Sequence, residues 1–339
     1  MNSKFKNAMF NKNLEGPPVW MMRQAGRYHK HYQNLRAKHS FMELCKEPEL
    51  ASEVALGPVM DFDFDVSIMF SDLLFPLEAL GMGLDYTDSG PKLGMHLNPG
   101  NWDKLRSVED ALPALMFQKE VLKLTRQKIP AHKSVIGFTG GVWTLFVYAV
   151  EGGHSGSLQS SKAFLNLQKL FFERMTQLLI QNIQLQLDGG AEIVMIFDTA
   201  AGEVSPSYFK TLIAPWLIQL AQKFPGKLGY YSKGTQPAFF NQEFKSAPWC
   251  GVGVDHRWDL PAKLKLKEPG FVQGNFDQSL LFLETSDFKQ HLTQYWNSYK
   301  ELTPQERSNW VCGLGHGVLP KTPEKHVKYF VEYAREALG

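Results

Sequence analysis

Short apolar runs recur along the chain, and each stops at a polar or glycine-rich residue. The run at 19–22 ends at Arg23, that at 66–70 at Ser71-Asp72, and that at 135–138 at Thr139-Gly140-Gly141. Runs at 193–197, 228–231 and 252–254 end at Asp198-Thr199, Ser232-Lys233-Gly234 and Asp255. The last two, 271–273 and 310–313, lead into Gly274-Asn275 and Leu314-Gly315-His316-Gly317. Runs that are apolar on both faces are the pattern of buried parallel strands. Segments with helical spacing separate most of them. Leu212, Ile213, Trp216, Leu217, Leu220 and Phe224 follow a Ser205-Pro206 start signal. Val327, Phe330, Val331 and Ala334 follow Thr322-Pro323 in the same way. Leu167, Phe171, Met175 and Leu178 mark a long helix over 163–187 that stops at Asp188-Gly189-Gly190. Eight strand candidates, mostly separated by helices and without a linker-like stretch, predict one α/β domain over 1–339. The expected fold is a (β/α)8 TIM barrel with its cleft at the C-terminal face of the strands. An open doubly wound sheet is the alternative, but no G-x-G-x-x-G follows the first strand. Residues 81–98 read as an inserted loop or hairpin able to cover a site.

Composition narrows the partners more than the fold. With 44% hydrophobic and 21% charged residues the chain is ordinary globular material. Lys+Arg at 36 against Asp+Glu at 34 leaves a net +2. That balance is wrong for affinity resting on nucleic-acid phosphates or an anionic membrane, so any anion recognition is local. Cys45, Cys250 and Cys312 are widely spaced and form no C-x-x-C pair, which suits reduced thiols. The N-terminus lacks an apolar core of signal-peptide length, and the apolar stretch at 142–150 is far below the ~20 residues that span a bilayer. These features predict a soluble, cytoplasmic protein.

In a barrel the carboxyl ends of the strands build the functional face. The residues ending the runs are therefore the candidates: Arg23, Arg27, Asp72, Thr139, Asp198, Thr199, Ser232, Asp255, Asn275 and His316. Arg23 and Arg27 lie four apart with Gly26 allowing a turn between them, giving two planar forks that can hold carboxylates bidentately. Ordinary surface ion pairs are the plainer reading. Asp72 stands alone in F-S-D-L-L-F-P-L, either as an N-cap or as a buried anion facing N–H donors or a developing cation. His316, between two glycines, is a loop histidine or one placed for close ligand approach. Tyr148 alone reads as a core tyrosine. Asp61, Asp63 and Asp65 alternate without the Gly and Glu of a calcium loop and read as a solvated strand approach. The chain has no H-x-x-x-H, H-x-C, clustered Cys/His set, phosphate loop or G-x-S-x-G elbow.

Six motifs then occur in order: M-R-Q-A-G-R-Y at 22–28, F-S-D at 70–72, and W-T-L at 143–145 followed by Tyr148 and E-G-G at 151–153. I-F-D-T at 196–199, V-Q-G-N at 272–275 and G-H-G at 315–317 complete the set. Together they closely resemble the uroporphyrinogen decarboxylase family from residue 17 to about 331. The resemblance implies a (β/α)8 barrel, a homodimer with facing clefts, and cofactor-free loss of CO2 from the four acetates of uroporphyrinogen III. The implied product is coproporphyrinogen III, for haem synthesis. Carried over by position, Arg23, Gln24, Ala25, Gly26 and Arg27 form the substrate-binding loop, and Asp72 is the central catalytic carboxylate that stabilises the transition state. Arg36, Tyr148, Thr199 and His316 are further substrate contacts. The chemistry of CO2 loss, rather than the resemblance, gives Arg23 the placing of a proton donor or the return of a proton to the methylene carbon.

Some positions depart from the family pattern: H-K-H-Y at 29–32, G-P-V-M-D at 57–61, Val142, His154 and His256-Arg257. None of them removes a matched site residue. Two rival readings remain. One is a tetrapyrrole-binding relative with impaired catalysis. The other is a zinc-dependent corrinoid methyltransferase of the same superfamily, disfavoured because Tyr230-Tyr231-Ser232 and His316 stand where thiolate ligands are needed.

Overall fold

The computed structural model describes residues 1–87, 90–153 and 156–338, so His154 lies outside the described residues. Seven of the eight apolar runs form strands of one curled parallel sheet. These are β1 (Val66–Ile68), β4 (Ser134–Gly140), β5 (Val194–Asp198), β6 (Leu228–Ser232), β7 (Gly251–Gly253), β8 (Phe271–Phe276) and β9 (Trp310–Leu314), paired in that order. The segment between β1 and β4 carries an antiparallel hairpin, β2 (Leu84–Thr87) and β3 (Gly90–Leu93), as the 81–98 pattern predicted. Gly81 and Gly83 enter it at φ 90° and 70°, a conformation that side-chain-bearing residues rarely adopt.

Side chains along each strand alternate between two cores, following the two-residue period of a strand. Ile68, Ile136, Met195, Tyr231, Phe271 and Val311 pack on one face, where Phe5 and Ala8 of the N-terminal helix Ser3–Met9 join them. Val135, Ile196, Leu228, Val272 and Trp310 pack against the helices on the other. The long helix runs Leu165–Asp188 and the last one Glu324–Ala337, close to their expected positions. Ser205 caps its helix as predicted, accepting from the Tyr208 N–H at 3.2 Å. Thr322 does not cap: its hydroxyl turns back to the Leu319 carbonyl and Pro323 takes the N-cap position. Among the described residues no helix is long and apolar enough to cross a membrane. The three cysteines are free and buried.

The run at 19–22 differs from expectation. It makes one parallel bridge, Val19 to Cys312, rather than a full strand. Its backbone is nevertheless bonded on both sides. On the β9 side, Trp20 N–H donates to Cys312 O at 3.0 Å and Cys312 N–H to Pro18 O at 2.9 Å. On the β1 side, Asp65 N–H donates to Val19 O at 3.0 Å, but Val19 N–H goes to the Asp65 carboxylate at 2.7 Å. A side chain thus replaces a backbone carbonyl, which stops the ladder. The alternation persists, with Trp20 and Met22 in the inner core and Val19 and Met21 in the outer one.

That bonding also corrects the reading of Asp61, Asp63 and Asp65 as a solvated approach. Asp61 belongs to the helix Pro48–Phe62, and Asp63 ends it in the left-handed region at φ 59°. Asp65 is 4% exposed and accepts from Val19, from Asn2 at 3.2 Å and from Arg335 at 2.7 Å. The two unusual segments at 29–32 and 57–61 fit each other. His29 Nε2 meets the Asp61 carboxylate at 2.7 Å, and the His31 ring occupies space that any Cβ at Gly57 would take.

Candidate active site

The 23–28 loop is tied to the start of β1 and, at its entry, to the segment that follows β9. Val318 N–H donates to Met22 O at 2.9 Å, Gln24 Nε2 donates to Val66 O at 3.0 Å, and Tyr28 OH donates to Gln24 O at 2.7 Å. Gln24 is thereby buried as a strut, and Ala25 packs beside the buried Tyr32, Leu44 and Val54. The turn is not where a glycine suggested. Arg23 itself takes the left-handed conformation at φ 57°, uncommon for a residue with a side chain. Gly26 stays outside that region and lies close under the Arg23 carbonyl. The aliphatic stem of Arg23 crosses Gly317, where an added Cβ would lie 2.5 Å from Cδ and 2.7 Å from Cγ. Gly317 is therefore needed for space, as a shelf under Arg23.

Asp72 follows β1. Its Oδ1 accepts the Leu74 N–H at 2.8 Å, forming an Asx turn just ahead of the short helix Phe75–Leu77. Although some of its surface remains open to solvent, protein surrounds the carboxyl, and burial raises its pKa. Three groups oppose that rise: the Tyr86 hydroxyl, the Leu74 N–H and the Arg23 guanidinium. Tyr148, half-buried on the helix Val142–Glu151, is held protonated by burial and by the Asp72 charge, with Arg23 acting the other way. Asp72, Arg23 and Tyr148 thus lie within electrostatic reach of one another.

Past β9, His316 joins this group through Tyr231. The Tyr231 hydroxyl lies 2.8 Å from Gly315 O and 3.0 Å from His316 Nδ1, with the two rings stacked at 6.0 Å. The carbonyl can only accept, so the single phenolic proton goes to it and Nδ1–H donates to the phenol oxygen. That arrangement fixes the tautomer of the neutral ring, leaving Nε2 unprotonated. Burial pushes the Tyr231 pKa far up, while Arg23 and Arg257 draw it down, which puts Arg23 beside this pair as well.

Arg27 and Arg36 are exposed, and both act on the buried Tyr32. The Arg36 guanidinium donates to His39 O at 2.9 Å, past the end of its helix Lys30–Arg36. Thr199 is half-buried just beyond β5.

Several other strand-end residues brace the site. Asp198 is fully buried and accepts from Thr144 N–H at 3.0 Å, Thr144 OH at 2.6 Å and Tyr230 OH at 3.2 Å. Its carboxylate sits at the N-terminus of the helix that carries Tyr148, a favourable place for negative charge. Burial still pushes its pKa up to about 6. Asp255 accepts from Gly234 N–H and from Arg257, Asn275 Nδ2 donates to Asp255 O, and Ser232 pairs with Thr235. The Thr139 hydroxyl is buried without a hydrogen-bond partner among the described residues.

Sequence reasoning missed two aromatic hydroxyls, Tyr86 on the hairpin and Tyr231 on β6. The alternation along β6 points Tyr231 inward, and the covering role suggested for residues 81–98 was the available signal for Tyr86. A cavity of ≈ 450 Å³ lies on the helix side of β6 to β8, lined by Tyr230, Phe240, Phe244, Trp249 and Trp258. Several of its polar groups are already engaged: Lys263 with Glu268, Arg257 with Asp255, and the Trp258 N–H with Thr235 O. Despite its size it lacks the converging free polar groups of a reaction site.

The model of the family described as "Uroporphyrinogen decarboxylase (URO-D)" matches residues 1–337. A relative from Chloroherpeton thalassium named "Uroporphyrinogen decarboxylase" is 31% identical, with 100% of this chain and 98% of its own covered. One of the same name from Francisella tularensis subsp. novicida is 33% identical over 99% of both chains. A solved structure described as a methyltransferase from Methanosarcina mazei has a TM-score of 0.77, covering 99% of this chain and 98% of its own. At 17% identity that likeness speaks for the fold alone. The match over nearly the full length, together with relatives above 30% identity, establishes that the chain belongs to the uroporphyrinogen decarboxylase family.

Proposed function

We propose that this chain is a carboxy-lyase that converts the four acetate side chains of uroporphyrinogen III to methyl groups, giving coproporphyrinogen III for haem synthesis. The observation that carries the site assignment is the grouping of Asp72, Arg23, Tyr148 and the Tyr231–His316 pair, drawn from separate elements of the chain, within electrostatic or hydrogen-bonding reach of one another. The substrate is a flexible macrocycle with eight carboxylates on its rim and four pyrrole N–H donors at its centre. Arg23, Arg27 and Arg36 meet the rim as charge-assisted donors, each contact contributing on the order of 1.5–3 kcal/mol. Asp72 accepts the central N–H groups and holds the ring domed, while Tyr148, Thr199 and His316 supply further contacts.

Decarboxylation needs a destination for the electron pair of the breaking C–C bond. Protonation of a pyrrole carbon makes that ring cationic, so the ring itself receives the pair as CO2 departs. The exocyclic methylene carbon then takes up a proton to become methyl, and the ring carbon releases the one it gained. Asp72 acts electrostatically, stabilising the ring cation where surrounding protein strengthens the interaction. Arg23 retains its proton and orients the reacting carboxylate and the acid that protonates the methylene carbon.

We also read 18–22 as the eighth member that closes the sheet into a barrel, supported by its bonds to both β9 and the approach to β1. Residues 1–339 are then one domain, which we place in the cytoplasm as a homodimer with facing clefts. The test is anaerobic incubation with uroporphyrinogen III and separation of products by carboxyl number. Appearance of the four-carboxyl product is expected. Binding without release of CO2 overturns the assignment in favour of an impaired relative.

A further inference from the structure

Tyr86 projects from β2, and its ring centroid lies 4.2 Å from that of Phe41. Its hydroxyl oxygen is buried and has no hydrogen-bond partner among the described residues. The carboxylate it faces is Asp72, close enough for each group to act on the other's proton affinity. Asp72 Oδ1 already accepts the Leu74 N–H, and no hydrogen bond reaches Oδ2 from the described residues. A buried phenol left unpaired is costly, and catalytic hydrogen bonds are often long in an empty site and tighten on binding. Other acceptors nearby are occupied or weak. Glu78 is paired with Lys46 at 2.7 Å, and Cys45 is a buried thiol held protonated.

We propose that Tyr86 is a positioning residue whose hydroxyl donates to the Asp72 carboxylate, so that strand β2 completes the site. The inference rests on the role given to Asp72. The groups acting on Asp72 are then Tyr86 from the hairpin, Leu74 N–H from its own turn, Arg23 from the 23–28 loop and Tyr148 from the helix after β4, with Cys45 behind. Tyr86 keeps Asp72 ionised and fixes which oxygen faces the pyrrole N–H groups.

The test is Tyr86→Phe, which keeps the ring on Phe41 and removes only the oxygen. The expected result is a fall in kcat of about tenfold or more, as befits loss of a hydrogen bond to a charged group, with KM nearly unchanged. The acid limb of the pH–kcat profile should move to higher pH. An independent readout is infrared titration of the Asp72 carboxyl, isolated by subtracting the spectrum of Asp72→Asn. Its pKa should rise in Tyr86→Phe. Unchanged kcat, pH profile and carboxyl titration overturn the proposal. Activity surviving in Asp72→Asn instead overturns the role of Asp72, and the infrared titration still reads the contact with Tyr86 in that case.

Discussion

Gly317→Ala tests whether the shelf under Arg23 matters. The new Cβ would lie 2.5, 2.7 and 3.1 Å from Arg23 Cδ, Cγ and Cβ. Carbon atoms normally rest about 3.5–4.0 Å apart, so the stem has to give by roughly 1 Å. The backbone cannot absorb this easily. Arg23 is held at φ 57°, and its neighbours are tied by Val318 N–H to Met22 O and by Gln24 to Val66 O. The displacement therefore passes to the guanidinium. A misplacement of ~1 Å at a reacting centre costs ~10²-fold in rate, or about 2.7 kcal/mol on the barrier. Stability should fall by only about 1 kcal/mol, the low end for overpacking, because the head of Arg23 is exposed and can swing. The assay is anaerobic steady-state kcat/KM beside a thermal melt. On an Arg23→Ala background the same change should cost little, since most of the colliding stem is gone. A Gly317→Ala enzyme within twofold of the parent, or fully additive effects in the cycle, refutes the reasoning.

Asp72→Asn should abolish turnover while preserving the fold, as read by circular dichroism. Its effect on stability has a definite sign. Burial raises the Asp72 pKa, so the native state binds its proton more tightly than the unfolded chain and loses stability as pH rises past the unfolded value of ~3.9. The variant should therefore melt higher than the parent at neutral pH, with the difference vanishing below that value. Asp198 should behave alike. A rise from 3.8 to about 6 corresponds to roughly 3 kcal/mol. Urea melts should show parental stability falling between pH ~4 and ~6 and level above, a slope that Asp198→Asn removes. Arg27→Ala should raise KM, more strongly at low ionic strength where an exposed charge pair is least screened. A salt-independent effect would assign Arg27 a steric role.

The parallel sheet was legible because its strands are buried on both faces and read as continuous apolar runs. The run at 19–22 carries the same pattern but makes a single bridge, because the Asp65 carboxylate takes the Val19 N–H. No periodicity reveals that a side chain 46 positions further along the chain will occupy a ladder position. The same long-range bonding hid the buried role of Asp65. At the site, the candidates ending the runs at β1 and β9 converge, whereas Asp198 and Asp255 brace helices and turns. Asp72, Asp198 and Asp255 look alike in sequence; what separates them is whether nearby N–H and O–H groups, such as those of Thr144, saturate the carboxylate. Likewise, Gly26 drew attention as the turn residue, but the left-handed backbone falls on Arg23, and Gly317 proves the glycine whose missing side chain matters.

The central claim is that Asp72 faces the pyrrole centre of the macrocycle while cationic groups hold its rim. A crystal structure grown anaerobically with coproporphyrinogen tests this most directly. All four pyrrole nitrogens should lie within hydrogen-bonding reach of the Asp72 carboxylate, with propionates on the arginines. A macrocycle whose nitrogens turn away from Asp72, or one seated outside the group formed by Arg23, Tyr148 and His316, contradicts it.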